Sequence, residues 1–126
     1  MTASLNPKLQ PPMESINTSS YRIISAATIN ANVIKVSAGN IYLMVLHNGA
    51  AVSRFLKLYN KATTPVVATD VPVATILIPQ GQTIIIQPAI GWSVNAGISY
   101  VITGAVADID NTPCALNDVV ANILYA

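Results

Sequence analysis

Charge is what this sequence has least of: Asp, Glu, Lys and Arg make up 9% of its 126 residues, against roughly 25% in a typical soluble domain. Six basic residues against five acidic ones give a net charge of +1, and no basic run occurs, so an electrostatic nucleic-acid binder is excluded and no nucleic-acid partner is expected. One cysteine, Cys114, leaves no internal disulfide to form and does not fix the redox compartment. Long hydrophobic runs are missing too. No charge falls between Val71 and Ala107, yet Pro72, Pro79, Gly81, Pro88, Gly91, Asn95 and Gly97 cut that window into pieces far shorter than the ~20 apolar residues of a spanning helix. Strands apolar on both faces do not follow the alternation of a transmembrane barrel, so no membrane partner is expected. No signal peptide is read at the start, where Lys8 sits among Pro7, Pro11 and Pro12 without a hydrophobic stretch after it.

What the chain does have is apolar residues: 52% of the total, with a mean hydropathy of +0.54. That rules out disorder and implies more apolar surface than one small core hides. The length suits one domain. Residues 1–20 read as an extended arm, because three prolines and a run of Asn, Thr and Ser bury little. From Tyr21 onward, β-branched residues come in bursts separated by Gly, Pro or Asn, which makes residues 21–126 a β-sandwich domain. Strands are expected at 21–29, 33–37, 41–48, 54–60, 72–78, 83–87, 98–103 and 119–125. Tight hairpins are expected at Ala38-Gly39-Asn40 and Gln80-Gly81-Gln82, where Gly supplies positive φ. The fold class is all-β: an antiparallel, jelly-roll-like β-sandwich with an extended N-terminal arm.

The strand faces speak to partners. In Ile41-Tyr42-Leu43-Met44-Val45-Leu46, alternation sends Ile41, Leu43 and Val45 one way and Tyr42, Met44 and Leu46 the other, so both faces are apolar. Ile84–Ile86 and Tyr100–Ile102 behave similarly, whereas a free sandwich shows water a polar outer face. The expected cover is another subunit, the alternative being loops or the arm folding back. The interface residues expected on these grounds are Tyr42, Met44, Leu46, Arg54, Lys57 and Trp92. All six basic residues lie between Lys8 and Lys61 and four of the five acids between Asp70 and Asp118, an asymmetry that fits pairing within one subunit at least as well as a head-to-tail electrostatic contact between subunits. Arg54, Lys57 and Lys61 form a local basic cluster, read as a solvated face.

The chemistry-bearing residues are few. His47, the one histidine, ends an apolar strand and caps or lines a turn. No nucleophile elbow, Walker loop, His-Glu-x-x-His or Cys-x-x-Cys pattern is present, and Cys114 has no evident activating neighbour. Asp108-Ile109-Asp110-Asn111-Thr112 begins like a calcium loop, making Asp108 and Asp110 the weak metal candidates. Pro113 and Val119 stand where an EF-hand needs Gly and Glu, and an Asx-type turn explains the acids better. A glycan hydrolase would need two carboxylates ~5–10 Å apart; the same two aspartates could meet that distance, but nothing supplies a cleft. No catalytic residue, metal or cofactor is expected, and the chain is read as not an enzyme. Trp92, Tyr42, Tyr59 and Tyr100 are too dispersed in sequence to define a sugar site.

The segment from Gly49 to Thr63, followed by Thr69-Asp70-Val71-Pro72-Val73, resembles a family of small β-sandwich virion proteins of tailed bacteriophages. Ile76-Leu77-Ile78-Pro79, the stretch from Gly97 to Gly104, and Ala107-Asp108-Ile109-Asp110-Asn111-Thr112 continue the resemblance in the same order, from about Tyr42 to Tyr125. The resemblance implies a capsid cement or decoration protein, made in the host cytoplasm and located on the capsid surface of the virion. The major capsid protein would be its partner, and it would self-associate, as a trimer on threefold positions or a dimer on twofold ones. It also leaves a tail-fibre or receptor-binding module as the alternative, with loops at 48–53, 92–96 and 108–113 as contacts.

Overall fold

The computed structural model describes residues 17–126; the expected arm therefore lies outside the described residues through residue 16. Nine strands are assigned among the described residues: β1 (Ser19–Ile24), β2 (Asn32–Lys35), β3 (Gly39–Asn48), β4 (Arg54–Asn60), β5 (Ala74–Ile78), β6 (Thr83–Ile86), β7 (Trp92–Val94), β8 (Ile98–Thr103) and β9 (Val119–Tyr125). They form two antiparallel sheets. Sheet 1 has the order β1-β9-β3-β6, with β7 also pairing β3, and sheet 2 has the order β2-β8-β4-β5. The all-β sandwich expected from the sequence is the architecture observed.

The pairing is nested. β4 pairs with β5, β3 with β6, β2 with β8 and β1 with β9, each antiparallel. Both expected hairpins are corrected by this order. Ala38-Gly39-Asn40 joins β2 in sheet 2 to β3 in sheet 1, and Gln80-Gly81-Gln82 joins β5 in sheet 2 to β6 in sheet 1. Gly81 does adopt φ +66°, so the tight turn is present. It passes the chain across the sandwich instead of back along one sheet. The first strand is also displaced, running from Ser19 to Ile24 rather than over 21–29. Ser19 and Ser20, expected in the arm, pair with Tyr125 and Leu124. Beyond it, Asn30 at φ +57° turns the chain, its side chain accepting from the Ala26 N–H at 2.8 Å and donating to Thr28 O at 2.9 Å; short polar side chains tolerate this conformation by bonding locally.

Between the sheets, Ile23, Met44, Leu46, Leu56, Leu58, Ile78, Ile98, Ile102, Val119 and Ile123 form one buried core. Met44 and Leu46, expected at an interface, are part of it and fully buried. The expected split of β3 fails at its start, where the register with β9 shifts between Ile41 and Leu43. That β-bulge leaves Tyr42 as the extra residue and turns Ile41 onto the same inward face as Met44 and Leu46, because one inserted residue reverses the alternation. Tyr42 then packs beside Gly91, where a Cβ would lie 3.0 Å from the tyrosine ring and φ is +86°.

The buried end of the core is satisfied by hydrogen bonds. Asn48, buried at the end of β3, donates to Val52 O and Ile78 O at 2.9 Å each and accepts from the Ala50 N–H at 2.8 Å. Arg54 donates through Nε and Nη2 to one oxygen of Asp118 at 3.0 and 2.7 Å, and the same oxygen accepts from the Ala115 N–H. Desolvation pushes the Asp118 carboxyl up, but these donors outweigh it and hold it below the usual carboxylate range.

Candidate functional site

Two surfaces remain once the core is accounted for: the outer face of sheet 1 and a cleft at one end of the sandwich. On sheet 1 the register aligns Arg22, Asn122, Val45 and Ile85 in one row across four strands, and Ile24, Val120, His47 and Thr83 in another. Ser20, Leu124 and Leu43 make a third. Ile85 is 67% exposed and Ile24 49%, with Val45, Leu43, Leu124 and Val120 half-buried between them. The face thus interleaves apolar side chains with Arg22, Asn122, Ser20, His47 and Thr83, and Ile24 and Ile85 are its apolar residues most open to solvent. His47 lies on it, with Nδ1 2.8 Å from the Thr83 hydroxyl across the strand pair.

The expected interface residues do not assemble into one surface. Met44 and Leu46 point inward, as above. Arg54 is committed to Asp118, both side chains 13% exposed. Lys57 is fully buried on the other side of sheet 2, where its ammonium donates to Ala107 O. Burial lowers its pKa below the usual lysine value, against the opposing pull of Asp110 and Asp108. Lys61 pairs with Asp70. The expected basic cluster is thus dispersed, since β4 sends Arg54 and Lys57 to opposite faces, and Arg54 and Lys61 each pair with an acid from the second half of the chain. Tyr42 is half-buried against Gly91, and Trp92 sits apart at the sandwich end.

The loop 104–113 is organised by Asp110, whose carboxylate accepts from the Ala105 N–H at 3.0 Å and from the Thr112 N–H and hydroxyl at 3.2 and 2.8 Å. Desolvation raises its pKa, but these donors and Lys57 bring the net shift below the usual value. That is the Asx-type arrangement weighed against calcium. Among the described residues no three His, Cys, Asp or Glu side chains gather as a metal site, and no helix is long and apolar enough to cross a membrane. Cys114 is buried, its thiol 3.5 Å from Ile102 O, and burial pushes its pKa up to about 11, the profile of an inert thiol.

The cleft was not legible in the sequence. It opens where β3 and β8 begin, β4 ends and β7 lies across, and has a volume of about 130 Å³. Ile41, Leu58, Val73, Val94 and Ile98 line it, with Asn60 and Ser93 as polar lining. Trp92, expected in a loop, is instead the first residue of β7, pairs with Ile41 and is 40% exposed. Asn60 is fixed by accepting from the Ala96 N–H at 2.8 Å and by donating to Asn95 Oδ1 at 2.8 Å. Gly97 makes this approach possible: a Cβ there would lie 2.7 Å from both Ala62 Cα and Lys61 O. A second hollow of about 210 Å³ adjoins, sharing Tyr59, Asn60 and Val73 with the cleft and adding Lys61, Asp70 and Val71.

No protein-family model matches the chain, and no curated protein matches its sequence. A solved structure similar to it comes from Bacillus endospore appendages, described as forming a novel family of disulfide-linked pili. The match is 15% identical, covers 86% of this chain and 83% of that one, and has a TM-score of 0.45. A likeness of that strength carries neither fold nor function across.

Proposed function

We propose that this protein is a viral structural subunit: a capsid cement or decoration protein of a tailed bacteriophage that binds the outside of the shell and stabilises it as a homo-oligomer, a trimer in preference to a dimer. The observation that carries the reading is the set of apolar side chains on the outer face of sheet 1, Ile24 and Ile85 exposed and Leu43, Val45 and Leu124 half-buried beside them. A cement protein works by burying surface across neighbouring subunits, and apolar area contributes ~25 cal/mol per Å² before ordering and association costs. It needs surface rather than a nucleophile. We further read the sandwich as a jelly roll. The nested pairing of β4–β5, β3–β6, β2–β8 and β1–β9 supports this, being one long antiparallel hairpin rolled so that its strands alternate between two sheets. The resemblance seen in the sequence, from about Tyr42 to Tyr125, supplies the phage context.

The test is the copy number of this chain in purified particles, measured by quantitative protein analysis against the major capsid protein. A fixed ratio to shell subunits is expected, and the Ile85→Asp variant is expected to fold yet fail to load onto particles. A handful of copies per particle would overturn the capsid assignment in favour of a tail-fibre or receptor-binding module. The end cleft is the feature that favours that second reading.

A further inference from the structure

We propose that the cleft at the end of the sandwich is a carbohydrate site, taking one pyranose ring against Trp92 and the next ring of an oligosaccharide in the adjoining hollow. Such a site would work in the single subunit, whatever that subunit assembles with. A pyranose has a face of C–H bonds and a rim of hydroxyls, so it asks for an aromatic or aliphatic floor with hydrogen-bonding groups at the edge. The cleft offers that division. Its lining is mainly aliphatic, and Trp92, a residue 40% exposed, borders it, an indole being suited to the weakly positive hydrogens of a sugar C–H face.

The polar edge decides between a sugar and a wholly apolar occupant. Asn60 and Asn95 meet there, Asn60 donating Nδ2 to Asn95 Oδ1, whereas the side chains of Asn40 and Ser93, one step out of phase with Ile41 and Trp92 on the paired strands, bond to each other on the opposite face of the sheet. Asn60 Oδ1 is taken by the Ala96 N–H. The carboxamide oxygens of Asn60 and Asn95 are therefore occupied, while the Nδ2 group of Asn95 has no partner among the described residues. It carries two donors. The edge is uncharged and presents donors, which suits the hydroxyl and ring oxygens of a sugar. An aliphatic chain seated there would strip water from those amides and return nothing, at the cost of unsatisfied polar groups.

The neighbouring hollow extends the site in one direction. Asn60 and Val73 border both spaces, and Lys61 and Asp70, paired with each other, line the second. A charged pair at a shallow wall can both donate to and accept from hydroxyls. The two spaces together are larger than one ring requires, so the class of ligand is an oligosaccharide rather than a free monosaccharide. The site is also held in advance: Gly97 admits the 61–62 turn against the strand start, and Asn60 is bonded on both sides, which reduces the ordering cost of binding.

Trp92 is the chain's one tryptophan, so its emission reports the cleft directly. The full chain is titrated with cellobiose, maltose, lactose, diacetylchitobiose and mannobiose. At least one is expected to give a saturable change in emission, with binding confirmed by calorimetry. Trp92→Ala, followed by calorimetry alone, and Asn95→Ala are each expected to weaken that binding by about tenfold or more, with melting temperatures unchanged. Val73→Phe, at an exposed position between the two spaces, should weaken disaccharide binding more than monosaccharide binding. No saturable change with any sugar up to its solubility limit would overturn the proposal. So would sugar binding indifferent to both Trp92→Ala and Val73→Phe, or saturation by hexanol where every sugar fails.

Discussion

The outer faces of the two sheets start from similar sequence and end differently. Sheet 1 carries Leu43, Val45, Ile85 and Leu124 outward, Ile85 exposed and the other three only half-buried. Sheet 2 carries Tyr59, Val101, Ser99 and Lys57 outward, and all four are buried. The difference lies in the connections. The β1–β2 segment runs beside β8, Ile29 O accepting from the Ile102 N–H at 2.7 Å and Thr28 O from the Cys114 N–H at 3.0 Å, and Ile29 and Ala31 pack with Val67 of the β4–β5 loop over Tyr59 and Val101. Loop 104–113 closes over Lys57 through Ala107. Among the described residues, sheet 1 has no such cover. An apolar strand face thus says that something must lie over it, and only the connections say whether that is the same chain.

The sharpest way to break this comparison is to place the same substitution type on each face. Val101→Ser, beneath the loops, is expected to cost about 2–4 kcal/mol through lost packing and a buried hydroxyl. Ile85→Ser is expected to change the stability of the isolated subunit by less than about 0.5 kcal/mol. Urea unfolding of both variants checks this, and equal costs would mean that sheet 1 is covered after all.

An intermediate effect is expected at the boundary between the faces. Arg54→Met removes two charge-assisted bonds to Asp118 and should cost about 1.5–3 kcal/mol. The pH profile should change with it. Asp118 and Asp110 have folded pKa values below their unfolded ones, so the unfolded chain binds more protons as pH falls. Their contribution is present above the ordinary carboxylate range and is lost as pH drops through the folded values. In Arg54→Met the loss of stability on acidification should be shallower; an unchanged slope would remove the pair from the account.

The smallest effect has the opposite sign. Tyr59 Oη and Ser99 Oγ are buried without hydrogen-bond partners among the described residues on the covered face, and the two residues are directly opposed across β4 and β8. Tyr59→Phe is expected to raise stability by about 1 kcal/mol, because an unsatisfied hydroxyl is removed at nearly constant volume. Thermal unfolding of the variant that came out lower would show that the hydroxyl has a partner.

Much of the fold was legible because strand signals are local. The expected segments at 54–60, 98–103 and 119–125 are the observed β4, β8 and β9. The hairpins were misread because Gly81 supplies the same positive φ whether the next strand returns to its own sheet or crosses to the other. Met44 and Leu46 face inward against expectation because both faces of β3 are apolar and hydropathy alone does not choose between them, while the bulge at Tyr42, which has no sequence mark, takes Tyr42 out of their row and puts Ile41 into it. Trp92 is a short edge strand in a stretch broken by Pro88 and Gly91, which read as a loop. The cleft joins Ile41, Asn60, Val73 and the Trp92–Ile98 stretch from separate parts of the chain, so no spacing rule could assemble it. Lys57 looked solvent-bound for a related reason: its cover comes from residues some fifty positions later.

The position of β9 between β1 and β3 sets the order in which the molecule can be completed. As the polypeptide leaves the ribosome, β4–β5 and then β3–β6 can pair early, while β1 waits with both edges bare until β9, residues 119–125, has been made. Sheet 1 closes only when β9 slides between its neighbours, and the mutual bonds between Asn40 and Ala126 and those of Ser25 to Ala115 and Val119 fasten the two ends of that strand. Until then the inner sides of β1 and β3 are unprotected together. A pause in synthesis, or a nascent chain halted before residue 119, leaves this protein at its most aggregation-prone.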